Sequence, residues 1–439
     1  MLDFSDKPYK YFEPRYSWFW APLLRWYGRR IYLKKKKKIS QLMIQNKDAA
    51  LQAKADGAHV LIVGNHPTHA DAAILIEACW RVGMRCQFMA AYDVFLRSKI
   101  DAWAMQRLGA FSVDRESSDT KAMKAATKIL TEGELELTIL PEGNVYLENE
   151  RVTPFHDGAA MLAARAAKNK LDNGGHVVVL PVAIKASYVE DITGKVDALL
   201  EKMMQAFDCE AANDDGPLDR LRKVGAAAII RNMKHRGMET SEYNVAGQTH
   251  EKTQAMIEDA ANRVLDKLEA KLSLEVKHEV AGMERVRQCR RVIHDVLSDP
   301  EKQADHAAAR TWADQAMMAM KILSYSGDYV SQKQSIDRIA ETAEKLAEDV
   351  YGKMWEPFGK RKAVVRFCKP IDVTAMLQKE GNNVKLRQAV YGLTRLIEER
   401  VQGGVNEICE FLVTEGMSDW ASHKNTHNNA TPSQGGHLT

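Results

Sequence analysis

The chain has 439 residues, 45% of them apolar and 28% charged, which is too long for one ordinary domain and ample for a packed core. Lys and Arg (62) nearly balance Asp and Glu (59), for a net charge of +3; that excludes the strongly basic footprint of a dedicated nucleic-acid binder. Six cysteines (Cys79, Cys86, Cys209, Cys289, Cys368 and Cys409) are scattered without a CxxC pair, so neither a metal site nor a disulfide framework is expected, and a reducing compartment is the simplest reading.

The first segment, residues 1–45, combines Trp18, Phe19, Trp20, Leu23, Leu24, Trp26, Tyr27 and Tyr32 with a run of five lysines, Lys34 to Lys38. It has early acidic residues and no continuous apolar stretch, so it does not read as a signal peptide. No run of about 18 or more apolar residues occurs, so no transmembrane helix is expected. Aromatic rings favour the headgroup boundary, and lysines near an anionic leaflet contribute roughly 1 kcal/mol each. The segment therefore reads as an interfacial anchor. The competing reading is that the aromatics pack on the main domain and the lysines form a solvated face.

Strands and helices then alternate. Val60–Val63, Gln87–Ala90, Ala110–Val113, Leu135–Leu140 and Val177–Val182 read as strands; Ala70–Val82, Lys121–Thr131 and Gly158–Lys168 read as helices. This predicts an α/β fold with a mainly parallel sheet flanked by helices. From about Asp191 to Lys362 the pattern is helical only, with Leu199, Leu200, Met203, Met204 and Phe207 at helical spacing and an Ala/Met-rich stretch at Ala307–Leu323. Asn213–Pro217 reads as a break between helices. Ala363–Phe367 restores a strand, Pro370 stops it, and a helix of about Val384 to Val401 follows. The expected organisation is an α/β domain, 46–190 plus 363–415, interrupted by a large all-helical insertion, 191–362. The polar stretch 421–439 reads as a disordered tail.

Four sites stand at strand ends, where ligands gather in open α/β sheets. Gly64-Asn65-His66-Pro67-Thr68-His69-Ala70-Asp71 leads from a strand into a helix. Residues five apart do not share a helix face, so His66 and Asp71 meet only if His66 lies in the turn before the helix, which Pro67 permits. The carboxylate would then fix the imidazole tautomer. Asp71 as a plain helix cap, or His69 in the catalytic role, are the alternatives. Gly109–Arg115 ends another strand, and its Arg suits a phosphate or carboxylate or a surface ion pair with Asp114, Glu116 or Asp119. Pro141-Glu142-Gly143 ends a third, with Gly143 free to adopt positive φ. Pro181 punctuates the Val177–Val182 strand and argues against a simple central-strand position.

Together and in this order the four sites resemble the lysophosphatidic acid acyltransferases, within the wider glycerolipid acyltransferases. Asn65, His66 and Asp71 match the family's Asn-His-x4-Asp, Gly109 and Arg115 its Gly-x5-Arg, Glu142 and Gly143 its Pro-Glu-Gly, and Pro181 the proline of its last apolar strand. Pro154–Ala160 and Val365–Ile371 also look like family segments, with Cys368 where a Gly usually stands. The resemblance spans about 45–190 and 363–410. It implies transfer of a fatty acyl group from a coenzyme A or acyl-carrier-protein thioester to a lipid hydroxyl, with His66 as general base, Asp71 supporting it, and Asn65, Gly109, Arg115, Glu142, Gly143 and Pro181 shaping the acceptor site. The implied setting is peripheral, on the cytoplasmic face of a membrane. The implied partners are that surface, a lysolipid acceptor and an acyl thioester donor. No dinucleotide fingerprint occurs, so no redox cofactor is expected. One departure bears on the acceptor: the family's third motif continues Thr-Arg-Ser, whereas here Asn144-Val145-Tyr146 follow, with Arg151 the nearest replacement for the lost cation. A catalytically silent membrane adaptor, and a thioester or lipid hydrolase using the same dyad, are the competing functions.

Overall fold

In the computed structural model, which describes residues 9–416 apart from 118, 172–174, 213–214, 326 and 381–385, one mixed sheet organises the chain. Its strands are β1 (Ile39–Gln45), β2 (His59–Gly64), β3 (Cys86–Ala91), β4 (Ala110–Val113), β5 (Glu136–Ile139), β6 (Val177–Tyr188), β7 (Arg361–Phe367) and β8 (Ile371–Asp372). The spatial order is β1-β7-β6-β2-β5-β3-β4, with β8 also on β6. The strands β6, β2, β5, β3 and β4 run parallel to one another, and β1 runs parallel to β7; the two groups meet antiparallel at β6 and β7. The mainly parallel α/β reading therefore holds, with one reversal.

The helices flanking the first part are α1 (Trp20–Tyr27), α2 (Lys47–Ala53), α3 (Asp71–Arg81), α4 (Tyr92–Phe95), α5 (Lys99–Arg107), α6 (Thr120–Glu132) and α7 (Gly158–Leu171). Alternation along β2 shows how both faces are filled. Val60 and Ile62 join a core with Ile74 and Leu75 of α3, whereas Leu61 and Val63 join one with α6 and α7. Sheets covered on both faces carry near-continuous apolar strands, and every residue of β6 is buried.

Among the described residues, seven α-helices, α8 (Thr193–Ala206), α9 (Pro217–His235), α10 (His250–Lys271), α11 (Gly282–Ser298), α12 (His306–Leu323), α13 (Tyr329–Gln332) and α14 (Ile336–Tyr351), lie between β6 and β7. They pack into two cores: one joins α8, the start of α9 and α14, the other the end of α9 with α10, α11 and α12. A polar seam docks α14 on the sheet. Buried Lys185 of β6 lies 3.0 Å from Asp337 and 3.2 Å from Glu150, and Tyr188 donates to Glu344. Two further helices, α15 (Val373–Glu380) and α16 (Leu386–Thr414), close the fold.

Several details differ from the sequence reading. Ile39–Gln45, the end of the aromatic and basic segment, is strand β1, whose partner β7 lies some 320 residues away; a short edge strand next to a lysine run carries little local signal. Only Lys34, Lys35 and Lys36 of that run are exposed. Lys38, at φ 52°, turns the chain into β1, and its Nζ donates to Pro357 O at 2.6 Å. Pro181 does sit inside a central strand. Its carbonyl accepts from Cys368 N at 2.8 Å, and the same edge faces the gap between the β7 and β8 pairings, so its missing N–H breaks no ladder. The last helix runs beyond Val401 to Thr414, through Gly403 and Gly404. A Cβ at Gly404 would stand 2.6 Å from Cys368 Sγ and 2.9 Å from the Ala183 Cβ, so the glycine serves close helix–sheet approach rather than termination. The expected tail at 421–439, and Asn213 and Asp214 of the expected break, lie outside the described residues; α8 and α9 end and begin on either side of that break.

Candidate active site

Because β2, β5, β3 and β4 are parallel, the loops that follow β2, β4 and β5 emerge at one edge of the sheet. His66 stands in the turn after β2 and Asp71 is the first residue of α3. His66 Nδ1 lies 2.9 Å from Asp71 Oδ2. Asp71 has no exposed surface, whereas the His66 side chain is 24% exposed. The same carboxylate accepts from Thr68 N at 2.7 Å and Thr68 Oγ1 at 2.6 Å. Asp71 thus closes the turn that leads into α3 and faces the imidazole as well. With Nδ1 donating to the carboxylate, Nε2 is left as the acceptor. His69 points elsewhere: its Nε2 lies 3.0 Å from Glu348 of α14, and its carbonyl accepts from Tyr32. Burial lowers its pKa despite Glu348.

Glu142, after β5, joins the third motif to the first. Its Oε1 accepts from His66 N at 2.8 Å and its Oε2 from Thr153 Oγ1. Burial pushes its pKa up to about 7, against the opposing pull of those two donors. Gly143 has φ +74°, and a Cβ there would come within 2.9 Å of His156 Nε2. Arg115 grips this turn. Its Nη1 donates to Gly143 O at 2.7 Å and Asn144 Oδ1 at 3.0 Å, and its Nη2 to Asp93 at 3.0 Å. The local partners weighed for it are occupied otherwise: Asp114 pairs with His294 at 3.1 Å, Glu116 with Arg290, and Asp119 caps α6 through Ala122 N.

Asn65 and Gly109 lie behind this surface. The Asn65 amide donates to Ile184 O and accepts from Ile184 N, at 2.9 and 2.8 Å, locking the end of β2 to β6. Gly109, at φ +93°, passes within a Cβ distance of 3.0 Å of Cys86 O. Pro181 pairs with Val63, two residues before Asn65. These three position the site from the sheet side.

The insertion contributes residues that sequence reasoning missed. Helix α11 lies against the second and third motifs: Arg290 and His294 hold Glu116 and Asp114, and Arg287 Nη2 lies 3.4 Å from His156 Nε2. Burial and then Arg287 lower the His156 pKa to about 4, so this imidazole is neutral at pH 7. Arg151 is engaged with Glu148 and Asp328 and stacks on Tyr329. Besides Arg115 on Gly143, a second cation, Arg287, reaches this corner through His156, which no local spacing could reveal. Thr68 was legible, since Thr68-x-x-Asp71 has capping-box spacing.

Residues 9–17 run along β4 and the end of α5, with Ser112 N donating to Phe12 O at 2.9 Å and Ser17 N to Arg107 O at 3.1 Å. Beyond them Trp18 and Phe19 are 64% and 70% exposed, Leu23, Trp26 and Tyr27 of α1 and Ile100 of α5 are exposed, and Trp20 of α1 packs edge-on against Trp103 of α5. Among the described residues no helix is long and apolar enough to cross a membrane.

Residues 36–185, from just before β1 into β6, match the family model described as Acyltransferase. No match to a curated protein is found. The matched stretch contains the His66–Asp71 pair, and the match supports acyl transfer as the general chemistry.

Proposed function

We propose that the protein transfers a fatty acyl group from a coenzyme A or acyl-carrier-protein thioester to the hydroxyl of a lysophospholipid-type acceptor at a membrane surface. The observation that carries this reading is the 2.9 Å contact between half-buried His66 and fully buried Asp71. His66 Nε2 takes the hydroxyl proton as the acceptor oxygen attacks the thioester carbonyl. Collapse of the tetrahedral intermediate breaks the carbon–sulfur bond, and the imidazolium returns the proton to the leaving thiolate. Asp71 holds the ring and stabilises its charged form. Glu142 and Arg115 fix the Gly143 turn beside the ring. Arg115 and Arg287, on either side of Gly143 and His156, face an anionic headgroup. The exposed aromatics of α1 and α5, with Lys34, Lys35 and Lys36, supply the membrane contact on the cytoplasmic side.

The test is thiol release from a long-chain acyl-coenzyme A, and from its acyl-carrier-protein counterpart, with and without a panel of lysolipids. Release is expected to need both an acceptor and His66, and His66→Ala is expected to lower it by about 10²–10⁴. Full release without acceptor would make the protein a hydrolase. No His66-dependent release from either donor would leave a membrane adaptor instead.

A further inference from the structure

The helical insertion holds a space that the acyl-transfer site does not use. A cavity of about 300 Å3 lies between α9, α10, α12 and α14, with Leu147 and Glu148 at its side. Protein interiors are packed like organic crystals, with few voids larger than a water molecule, and an apolar space of this size is of ligand-pocket dimensions. Met256, Met317 and Met318 form much of its wall, with Leu221, Ile257 and Leu346. Unbranched thioether side chains adapt to flexible apolar ligands. Gly225, Ala226 and Ala228 keep the α9 side low. A Cβ built on Gly225 meets no atom within 4 Å, so this face of α9 borders open space.

The lining follows α9 along most of its length. Lining residues run along α9 from Leu218 to Arg236, which caps its end, and the stretch between Arg222 and Arg236 alone rises about 21 Å at 1.5 Å per residue. One leaflet of acyl chains occupies about 15 Å, half the hydrocarbon core of a bilayer. The polar groups of the wall are mostly matched internally. Asp314 pairs with Arg236 at 2.5 Å, Asp349 with Lys321 at 3.3 Å, and Glu148 with Arg151 at 2.9 Å. Arg222 is matched less well: its Nε is buried without a hydrogen-bond partner, and its Nη1 is 3.7 Å from Asp219. The cavity also adjoins the acyl-transfer site along the chain. Leu147 and Glu148 follow Glu142 by five and six residues, and the intervening Tyr146 ring lies 5.8 Å from Lys345 Nζ on the cavity wall.

We propose that this cavity binds a single fatty-acyl chain with an anionic end, the chain lying along α9 and the charge at Arg222. Only the source of the chain rests on the acyltransferase reading: a thioester donor, a lysolipid and a free fatty acid all carry the same apolar chain. The experiment titrates cis-parinaric acid, a fluorescent polyene fatty acid, into the full chain and into the Gly225→Leu, Arg222→Gln and His66→Ala variants. Wild type is expected to bind saturably and His66→Ala equally well. Leu at 225 points into open space and forms helix more readily than Gly, so the variant is expected to keep its helical circular dichroism. It takes the room of two or three methylenes, each worth roughly fourfold in affinity, and weakens binding by about 15- to 60-fold. Arg222→Gln weakens binding of the acid but not of its methyl ester. Displacement by acyl-coenzyme A, lysolipid or unlabelled fatty acid names the source of the chain. Absence of saturable binding by wild type, unchanged affinity in folded Gly225→Leu, or displacement by none of the three overturns the proposal. Loss of His66-dependent thiol release with parinaric binding intact would sink the proposed reaction and leave the cavity assignment standing.

Discussion

Replacing Asp71 separates its two roles, closing a turn and supporting an imidazole. The carboxylate accepts three hydrogen bonds in a fully buried position, two from Thr68 and one from His66. In Asp71→Asn, an amide oxygen in place of Oδ2 still accepts from Thr68 N and His66 Nδ1, and the amide nitrogen in place of Oδ1 donates to the Thr68 hydroxyl, which can turn. All three contacts survive as neutral bonds, so the expected loss of stability is about 1–2 kcal/mol. Asp71→Ala leaves Thr68 N buried without its acceptor and takes the acceptor from the Thr68 hydroxyl proton, though Thr68 Oγ1 still accepts from Ala70 N; at about 1–3 kcal/mol each, the loss is roughly 2–6 kcal/mol. Catalysis should order the variants differently. The neutral amide cannot stabilise the imidazolium, so Asp71→Asn is expected to lose about 10²–10⁴ in kcat while remaining folded. Urea unfolding gives the first quantity, and thiol release under saturating donor and acceptor gives the second. A folded Asp71→Asn protein that keeps kcat within threefold of wild type would show that Asp71 only closes the turn before α3, and the general-base assignment would lose its support.

Glu142 titrates in a buried site, with its pKa raised from 4.5 to about 7. A carboxyl whose folded pKa is raised contributes stability that is fully present below the unfolded value and lost as pH rises through the folded one; the amount is about 3 kcal/mol between pH 4.5 and 7. Glu142→Gln should remove that slope, seen as a smaller difference between urea midpoints at pH 5 and pH 8; an unchanged slope contradicts the assignment. Arg287→Ala should raise KM for a phosphate-monoester lysolipid by about 10- to 100-fold, the range of one charge-assisted hydrogen bond. It should leave kcat and the KM for an uncharged acceptor unchanged; equal effects on both acceptors would show that Arg287 does not read the headgroup. Replacing Trp18, Phe19 and Leu23 together by Ser should lower partition onto anionic vesicles by several kcal/mol, at roughly 1.5–3 kcal/mol per large apolar side chain, without lowering the unfolding midpoint, since all three project into solvent. Retained vesicle binding would move the membrane contact elsewhere.

The α/β core was legible because its signals are local. Val60–Val63 and Ala110–Val113 are apolar runs between turn residues, and β2 and β4 fall on them. Local signals also carried the first pairing: His66 and Asp71 are five residues apart across one turn, and Pro67 permits the turn that brings them together. The long-range pairings were hidden. Strand β1 exists only because β7, some 320 residues later, offers it a parallel edge, and Gly404 ends no helix because Cys368 and Ala183 lie against it. Arg115 was identifiable as a cation after a strand, but its grip on Gly143 and Asp93 required three strand ends to be brought to one edge. The insertion was readable as helical from its periodicity. That α11 leans Arg287 and Arg290 onto the second and third motifs, and that α9, α10, α12 and α14 leave a cavity beside Glu148, was decided by packing alone. Periodicity specifies which face of a helix is apolar, but the neighbour that covers that face is chosen by the rest of the chain.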